Sequence, residues 1–275
     1  MVDLDLIRRA LAEDLAGGQD ITSVATVSGS ESVVADFVAR KPGVIAGVEM
    51  AVATLREVGV KDIQVHLSDG DQVEAGSVLM TVRGDTRAIL LAERTALNFL
   101  GHLGGIATLT HIWVQAIAGT ACTIRDTRKT TPGMRLLEKA AVVAGGGANH
   151  RLSLSESALI KDNHIAAAGG VSAAFSKVRA AFPSVLIEIE VDSLDQLKEV
   201  ATQSPDLVLL DNMTPAQCKE AVTFVAGCFK LEASGGISLE NAKAYAESGV
   251  DYLAIGALTH SAPVLDIGLD MKLEI

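Results

Sequence analysis

The sequence predicts an α/β protein whose C-terminal part folds as an incomplete α/β barrel. Six short apolar runs, at 122–127, 158–161, 185–191, 207–211, 230–234 and 252–256, alternate with helical patterns. Their spacing of roughly 20 to 35 residues fits βα units on a parallel sheet, and right-handed crossovers curl such units towards a barrel. Six runs fall short of the eight strands of the complete form, so an open or irregular barrel is expected. Composition agrees: 49% of the 275 residues are hydrophobic but only 3% are aromatic. Small aliphatics suit parallel strands buried on both faces.

The elements follow in order. Residues 3–14 read as a helix capped by Asp3, with Leu4, Ile7 and Leu11 on one face. Residues 31–40 alternate like a strand, Val33, Ala35 and Phe37 facing one way and Val34, Asp36 and Val38 the other. Residues 63–83 form a small β unit punctuated by Asp69-Gly70 and Ala75-Gly76. This run is similar to part of a lipoyl or biotinyl carrier, but such carriers need an exposed hairpin lysine, and none lies between Asp62 and Arg87. A helical region over 85–118 is interrupted by glycines at 101–105. The barrel texture starts at Ala121, which places a domain boundary near residues 105 to 120.

Several function classes are disfavoured. A net charge of −11 argues against nucleic-acid binding, which needs a basic surface. Cys122, Cys218 and Cys228 have no metal-ligand spacing and read as buried thiols in a reducing compartment. No apolar run is long enough to span a bilayer, and the N-terminus starts with an acidic amphipathic segment, so a cytoplasmic protein is expected.

Polar residues fall at the ends of the apolar runs, where barrels of this type build active sites. Arg125 to Lys129, Lys161, Asp211 and Ser234 occupy such positions. Glu188 and Glu190, two apart, share one face of their run. A carboxylate has little reason to sit in a strand unless it is paired or used. Between Arg125 and His164 seven Lys/Arg face four acids, a local balance of +3 in an acidic chain. Arg128-Lys129 and His150-Arg151 adjoin strands and glycine turns, which points to a cationic pocket for a multiply anionic ligand. Ser234-Gly235-Gly236, ahead of a helix starting near Ser238, and Gly256-Ala257 offer backbone N–H groups to a phosphate. Glu190 and Asp211 could hold ribose hydroxyls or a divalent cation, magnesium carried in by a polyphosphate being the best match for few hard oxygens. Gly145-Gly146-Gly147 reads as a flexible turn, with a helix C-cap as the compatible plainer reading.

These residues resemble one family, the quinolinate phosphoribosyltransferases. The likeness is carried by Glu93-Arg94-Thr95-Ala96-Leu97-Asn98, Thr127-Arg128-Lys129-Thr130-Thr131-Pro132-Gly133, Asn149-His150-Arg151, Lys161-Asp162-Asn163-His164, Glu188-Ile189-Glu190-Val191, Leu210-Asp211-Asn212-Met213, Glu232-Ala233-Ser234-Gly235-Gly236 and Gly256-Ala257-Leu258-Thr259-His260-Ser261. One departure is the run Ala16-Gly17-Gly18-Gln19-Asp20, where the family usually has Gly-x-Gly-Asp.

The resemblance implies an α/β sandwich over 1–110, completed by a C-terminal strand at 266–275, and an open α/β barrel over 111–265. It implies transfer of phosphoribosyl from phosphoribosyl pyrophosphate to quinolinate with decarboxylation, giving nicotinate mononucleotide. Quinolinate would be held by Arg128, His150, Arg151 and Lys161, with Arg94 reaching into a neighbouring subunit's pocket, so the working unit would be at least a homodimer. Lys129, Glu190 and Asp211 would serve phosphoribosyl pyrophosphate and its magnesium, as the catalytic set. Ser234, Gly235, Gly236, Gly256 and His260 would take the 5-phosphate. No organic cofactor is implied. Two other enzymatic readings stay open: a related phosphoribosyltransferase of the molybdenum-transport-associated type, acting on another anionic ring acid, and a Schiff base at Lys161, for which an ion pair with Asp162 or Glu190 is the simpler alternative. A non-catalytic binding module is a third class.

Overall fold

The computed structural model describes residues 2–29 and 31–272, and packing separates the chain into two units. One comprises Met1–His111, Leu136–Gly146 and Ser261–Ile275; the other comprises Ile112–Arg135 and Gly147–His260. No helix among the described residues is long and apolar enough to cross a membrane.

The first unit opens with α1 (Leu4–Leu15), capped by Asp3, whose carboxylate accepts the Leu6 N–H at 2.9 Å. Ile7 and Leu11 are buried as the spacing predicts, whereas Leu4 is exposed. Asp20, next to the departing loop, accepts the Thr22 and Ser23 N–H groups and caps α2 (Ile21–Thr26), so the local sequence variation leaves the cap intact. There follow β1 (Ser32–Ala39), β2 (Gly43–Val44), α3 (Val48–Glu57), β3 (Asp62–Val65), β4 (Gln72–Val73), β5 (Val78–Asp85) and α4 (Thr86–Ala116). Gly70 and Gly76 turn this hairpin region with φ of 97° and 90°.

The glycines of α4 do not interrupt it. Added Cβ atoms at Gly101, Gly104 and Gly105 would strike the segment Pro263 to Leu265. The helix runs on because the glycines let another backbone lie against it, and the Leu265 N–H reaches the Gly101 carbonyl at 2.9 Å.

The second unit carries β6 (Thr123–Arg125), and α5 (Arg135–Ala144) then packs almost wholly with the first. The C-cap reading after α5 holds: Gly145 and Gly146 N–H groups return to the Ala141 and Val143 carbonyls. The remaining elements are β7 (Ala158–Ile160), α6 (Asp162–Ala168), α7 (Val171–Ala181), β8 (Ile187–Val191), α8 (Leu194–Ala201), β9 (Leu207–Asp211), α9 (Pro215–Val225), β10 (Lys230–Ser234), α10 (Ala242–Glu247), β11 (Tyr252–Ala254) and α11 (Ala257–His260). The six expected runs are the six strands of one parallel sheet, ordered β6-β11-β10-β9-β8-β7. Among the described residues β6 and β7 do not pair with each other, so the barrel is open.

Period-two alternation sorts the side chains of this sheet. Ile187, Ile189 and Val191 of β8 are buried on one face, and Glu188 and Glu190 lie on the other. The last element among the described residues is β12 (Ile267–Lys272), which pairs antiparallel with β1 and sets the first unit's sheet order as β12-β1-β5-β3. The last three positions of the strand expected over 266–275 lie outside the described residues.

Candidate active site

At the carboxyl ends of the second unit's strands lies a cavity of about 690 Å³. Its walls carry Arg128, Lys129, His150, Arg151, Lys161, Glu190, Asp211, Ser234, Gly235, Gly236, Gly256 and His260. Every candidate residue except Arg94 therefore meets in one place. Arg94 is exposed on α4, in the first unit.

One wall is cationic. Arg151 is buried, and its Nη1 donates to the Ser157 carbonyl at 2.7 Å. The Nε–H groups of Arg128 and Arg151 are both buried without a hydrogen-bond partner. Burial lowers the pKa of Arg151, and so does the nearby Arg128 guanidinium. Two crowded cations with unused donors are the arrangement that an incoming carboxylate relieves.

The opposite wall is acidic. Glu190 from β8 and Asp211 from β9 both line the cavity. Burial raises the Glu190 carboxyl above its usual range; the Lys161 ammonium, 3.8 Å away, opposes that shift, and the Asp211 carboxylate adds to it. Lys161 is half exposed and ion-paired with Glu190, the simpler of the arrangements expected for it. Two neighbouring carboxylates with hard oxygens form a donor set that fits a divalent cation.

The third wall is backbone. Gly235 and Gly236 have φ of 85° and 63°, and Asn212, at φ 53°, packs its side-chain amide against the Gly235 backbone where a Cβ would stand. The Asn212 N–H donates to the Ser234 carbonyl at 2.9 Å, and its amide donates to Asp211 at 2.8 Å. Successive left-handed residues turn N–H groups into a concave anion seat. The helix expected from Ser238 starts only at Ala242, because Asn241 Oδ1 captures the Ser238 N–H at 2.8 Å and closes a local turn first. Lys129 and His260 pack closely over Gly256: a Cβ there would stand 3.1 Å from Lys129 Cδ and 3.3 Å from His260 Nε2.

Not all seven clustered cations belong to the cavity. Arg135 ties Thr130 Oγ1 to the Leu152 carbonyl, and Lys139 is buried in α5 with the first unit. Arg125 lies near the cavity floor and pairs with Glu232 Oε2 at 2.7 Å. The floor itself was not anticipated. Glu232 is fully buried, Glu188 is nearly so, and His150 Nε2 stands 2.8 Å from Glu188 and 3.6 Å from Glu232. Its signal was present in the sequence as charged residues inside otherwise apolar runs. None of the thiols lines the cavity: burial pushes Cys122 up to about 12 and Cys218 up to about 11, whereas Cys228, expected to be buried, is exposed.

Comparison with known proteins divides the chain once, near residue 105. Residues 20–104 match the family described as quinolinate phosphoribosyl transferase, N-terminal domain, and residues 106–270 match its C-terminal domain. The chain is 53% identical over 273 residues to the nicotinate-nucleotide pyrophosphorylase (carboxylating) of Mycobacterium leprae, covering 97% of this chain and 96% of that one. It is 40% identical over 272 residues to the probable nicotinate-nucleotide pyrophosphorylase of Bacillus subtilis, covering 98% and 93%. The crystal structure of the Ehrlichia chaffeensis nicotinate-nucleotide pyrophosphorylase superposes with a TM-score of 0.91 at 37% identity, covering 98% of each chain.

Proposed function

The chain belongs to the quinolinate phosphoribosyltransferase family, and we propose that its cavity joins quinolinate to phosphoribosyl pyrophosphate, giving nicotinate mononucleotide, pyrophosphate and carbon dioxide. The observation that carries this reading is the pair of buried, unpartnered guanidinium Nε–H groups in the same cavity as two carboxylates and two glycine turns. A ring diacid satisfies the first, and a phosphorylated sugar satisfies the others.

Arg128, Arg151 and Lys161 clamp the two carboxylates and orient the ring nitrogen towards the ribose carbon. The turns at Ser234-Gly235-Gly236 and Gly256, with His260, seat the 5-phosphate. Lys129, set against Gly256, neutralises the departing pyrophosphate. Glu190 and Asp211 fix the ribose hydroxyls and stabilise positive charge growing on the sugar ring. The same two carboxylates would hold magnesium, which supplies charge neutralisation for the pyrophosphate. After transfer the ring nitrogen is positive, so the carbanion left by carbon dioxide loss is stabilised within the substrate itself.

Arg94, exposed on α4, fits a role in a second subunit's cavity, and the working unit is then at least a homodimer. The three free cysteines fit a reducing cytoplasm. The test is an assay with quinolinate, phosphoribosyl pyrophosphate and magnesium, with nicotinate and nicotinamide in parallel. Turnover of quinolinate alone is expected. Equal turnover of nicotinate, or none with any ring acid, overturns the proposal.

A further inference from the structure

Both ring nitrogens of His150 are turned towards the protein. Nδ1 accepts the Arg151 backbone N–H at 2.7 Å, so it carries a lone pair and no proton. The ring's proton is therefore on Nε2, which points at Glu188 2.8 Å away and lies 3.6 Å from Glu232. The His150 backbone N–H is held by the buried Asp126 carboxylate at 2.8 Å. Facing this ring are Glu188 from β8 and Glu232 from β10, with Arg125 of β6 on the far oxygen of Glu232, while Asp126 holds the His150 backbone and the Arg151 backbone N–H meets Nδ1.

The charges in this layer do not balance if every acid is ionised. Glu188, Glu232 and Asp126 bring three negative charges, and Arg125 and Arg151 bring two positive charges. An imidazolium at His150 would complete the balance, but its Nδ1–H would collide with the Arg151 N–H. The remaining place for a proton is a carboxyl group. Oε1 of Glu188 and Oε1 of Glu232 are both buried without a hydrogen-bond partner; Glu188 takes the ring N–H on its other oxygen, and Glu232 is the more deeply buried of the two. Burial, then the Glu188 charge, raise its affinity for a proton. A metal ion between these three side chains fits less well. It would need the Nε2 lone pair, which moves the ring proton to Nδ1 and breaks the Arg151 contact, and it would stand beside the Arg125 guanidinium.

We propose that His150 is a neutral positioning residue rather than a cation of the substrate clamp, locked as the Nε2–H form by Glu188, and that Glu232 holds the proton that lets it stay neutral. The chain of contacts acts on quinolinate through Arg151, whose backbone His150 fixes. This inference rests on the function proposed above only for its ligand; the proton arrangement belongs to the resting protein.

The test therefore has two arms. In the first, nitrogen NMR of the full protein with labelled histidine, assigned by the signal lost in His150→Gln, should show a neutral Nε2–H ring at neutral pH. The spectrum should not change to an imidazolium when quinolinate is added. Infrared difference spectra at neutral pH should show a protonated carboxyl band that Glu232→Gln removes and Glu190→Gln retains. An imidazolium at His150, or absence of that band, overturns the proposal whether or not the enzyme turns over. In the second arm, Glu232→Ala should raise the KM for quinolinate about tenfold, with that for phosphoribosyl pyrophosphate within about twofold, and Glu232→Gln should recover most of the loss. Equal rises in both KM values, or no recovery by Glu232→Gln, would reduce Glu232 to a packing role. If the spectra agree but quinolinate is not a substrate, the functional reading falls and the proton arrangement stands.

Discussion

The hydroxyl of Thr259 donates to the main-chain carbonyl of Lys129 at 2.8 Å, across 130 positions of sequence. The bond links the loop after β6 to α11 and so brings the Lys129 side chain against the Gly256 turn. Thr259 is buried, and Thr259→Val removes the donor with little change of shape. The expected cost is ~0.5–1.5 kcal/mol of stability, the net worth of a part-buried hydrogen bond. Thermal unfolding should show it, and the KM for phosphoribosyl pyrophosphate should rise more than that for quinolinate.

Arg128→Ala removes one of the two guanidinium groups with an unused buried Nε–H. Quinolinate affinity, measured by calorimetry, should fall about 100-fold, corresponding to ~3 kcal/mol for a charge-assisted pair. Arg128→Lys should recover little, since an ammonium lacks the planar fork. Arg151→Ala should cost more than affinity. Its contact with the Ser157 carbonyl is lost as well, so the loop between His150 and β7 should become more susceptible to proteolysis.

Glu190→Gln should separate stability from activity. The Glu190 carboxyl is raised above its ordinary range by burial, with Lys161 opposing and Asp211 adding to the shift. A raised carboxyl contributes stability at acid pH and loses it as pH rises through the folded-state value. The variant should therefore melt above the wild type at neutral pH, with the gap closing below about pH 4. Turnover should fall on the order of 100-fold, since charge on the ribose loses its partner.

Gly235→Ala places a methyl group where the Asn212 side chain lies, at a φ of 85°. The expected penalty is ~1–2 kcal/mol. Displacement of Asn212 also releases its contact with Asp211, so phosphoribosyl pyrophosphate binding should weaken.

Chelation of divalent cations should stop pyrophosphate release, and added magnesium should restore it. Quinolinate binding by itself should survive chelation, because its clamp is built from side chains. Loss of quinolinate binding on chelation would place the metal in the wrong half of the cavity.

The barrel was readable in the sequence because parallel strands buried on both faces leave continuous apolar runs, and the polar residues that end them mark the mouth. All six runs became strands, and their end residues met. The glycines of α4 misled because local propensity treats them as breaks. Their cause is a backbone more than 150 positions later, from Pro263 to Leu265, which no local pattern reveals. Lys139 and Arg135 looked like pocket cations because sequence proximity stood in for spatial proximity. The floor of Arg125, Glu188 and Glu232 was missed because its pairing depends on which strands are neighbours in the sheet. That order is fixed only when β11 inserts between β6 and β10.

The strand β12 occupies an edge of the first unit's sheet beside β1, held there by Arg40 with Asp270 and by Asp36 with Lys272. During synthesis, β1 leaves the ribosome long before its partner exists. Throughout that interval its hydrogen-bonding edge is open, while the residues that build the barrel sheet have all been made by His260. The nascent enzyme is thus expected to complete its catalytic sheet first and to seal its exposed edge last. A stop codon just before Ile267 would then cause aggregation rather than an altered reaction, because it leaves that edge free to pair with another chain.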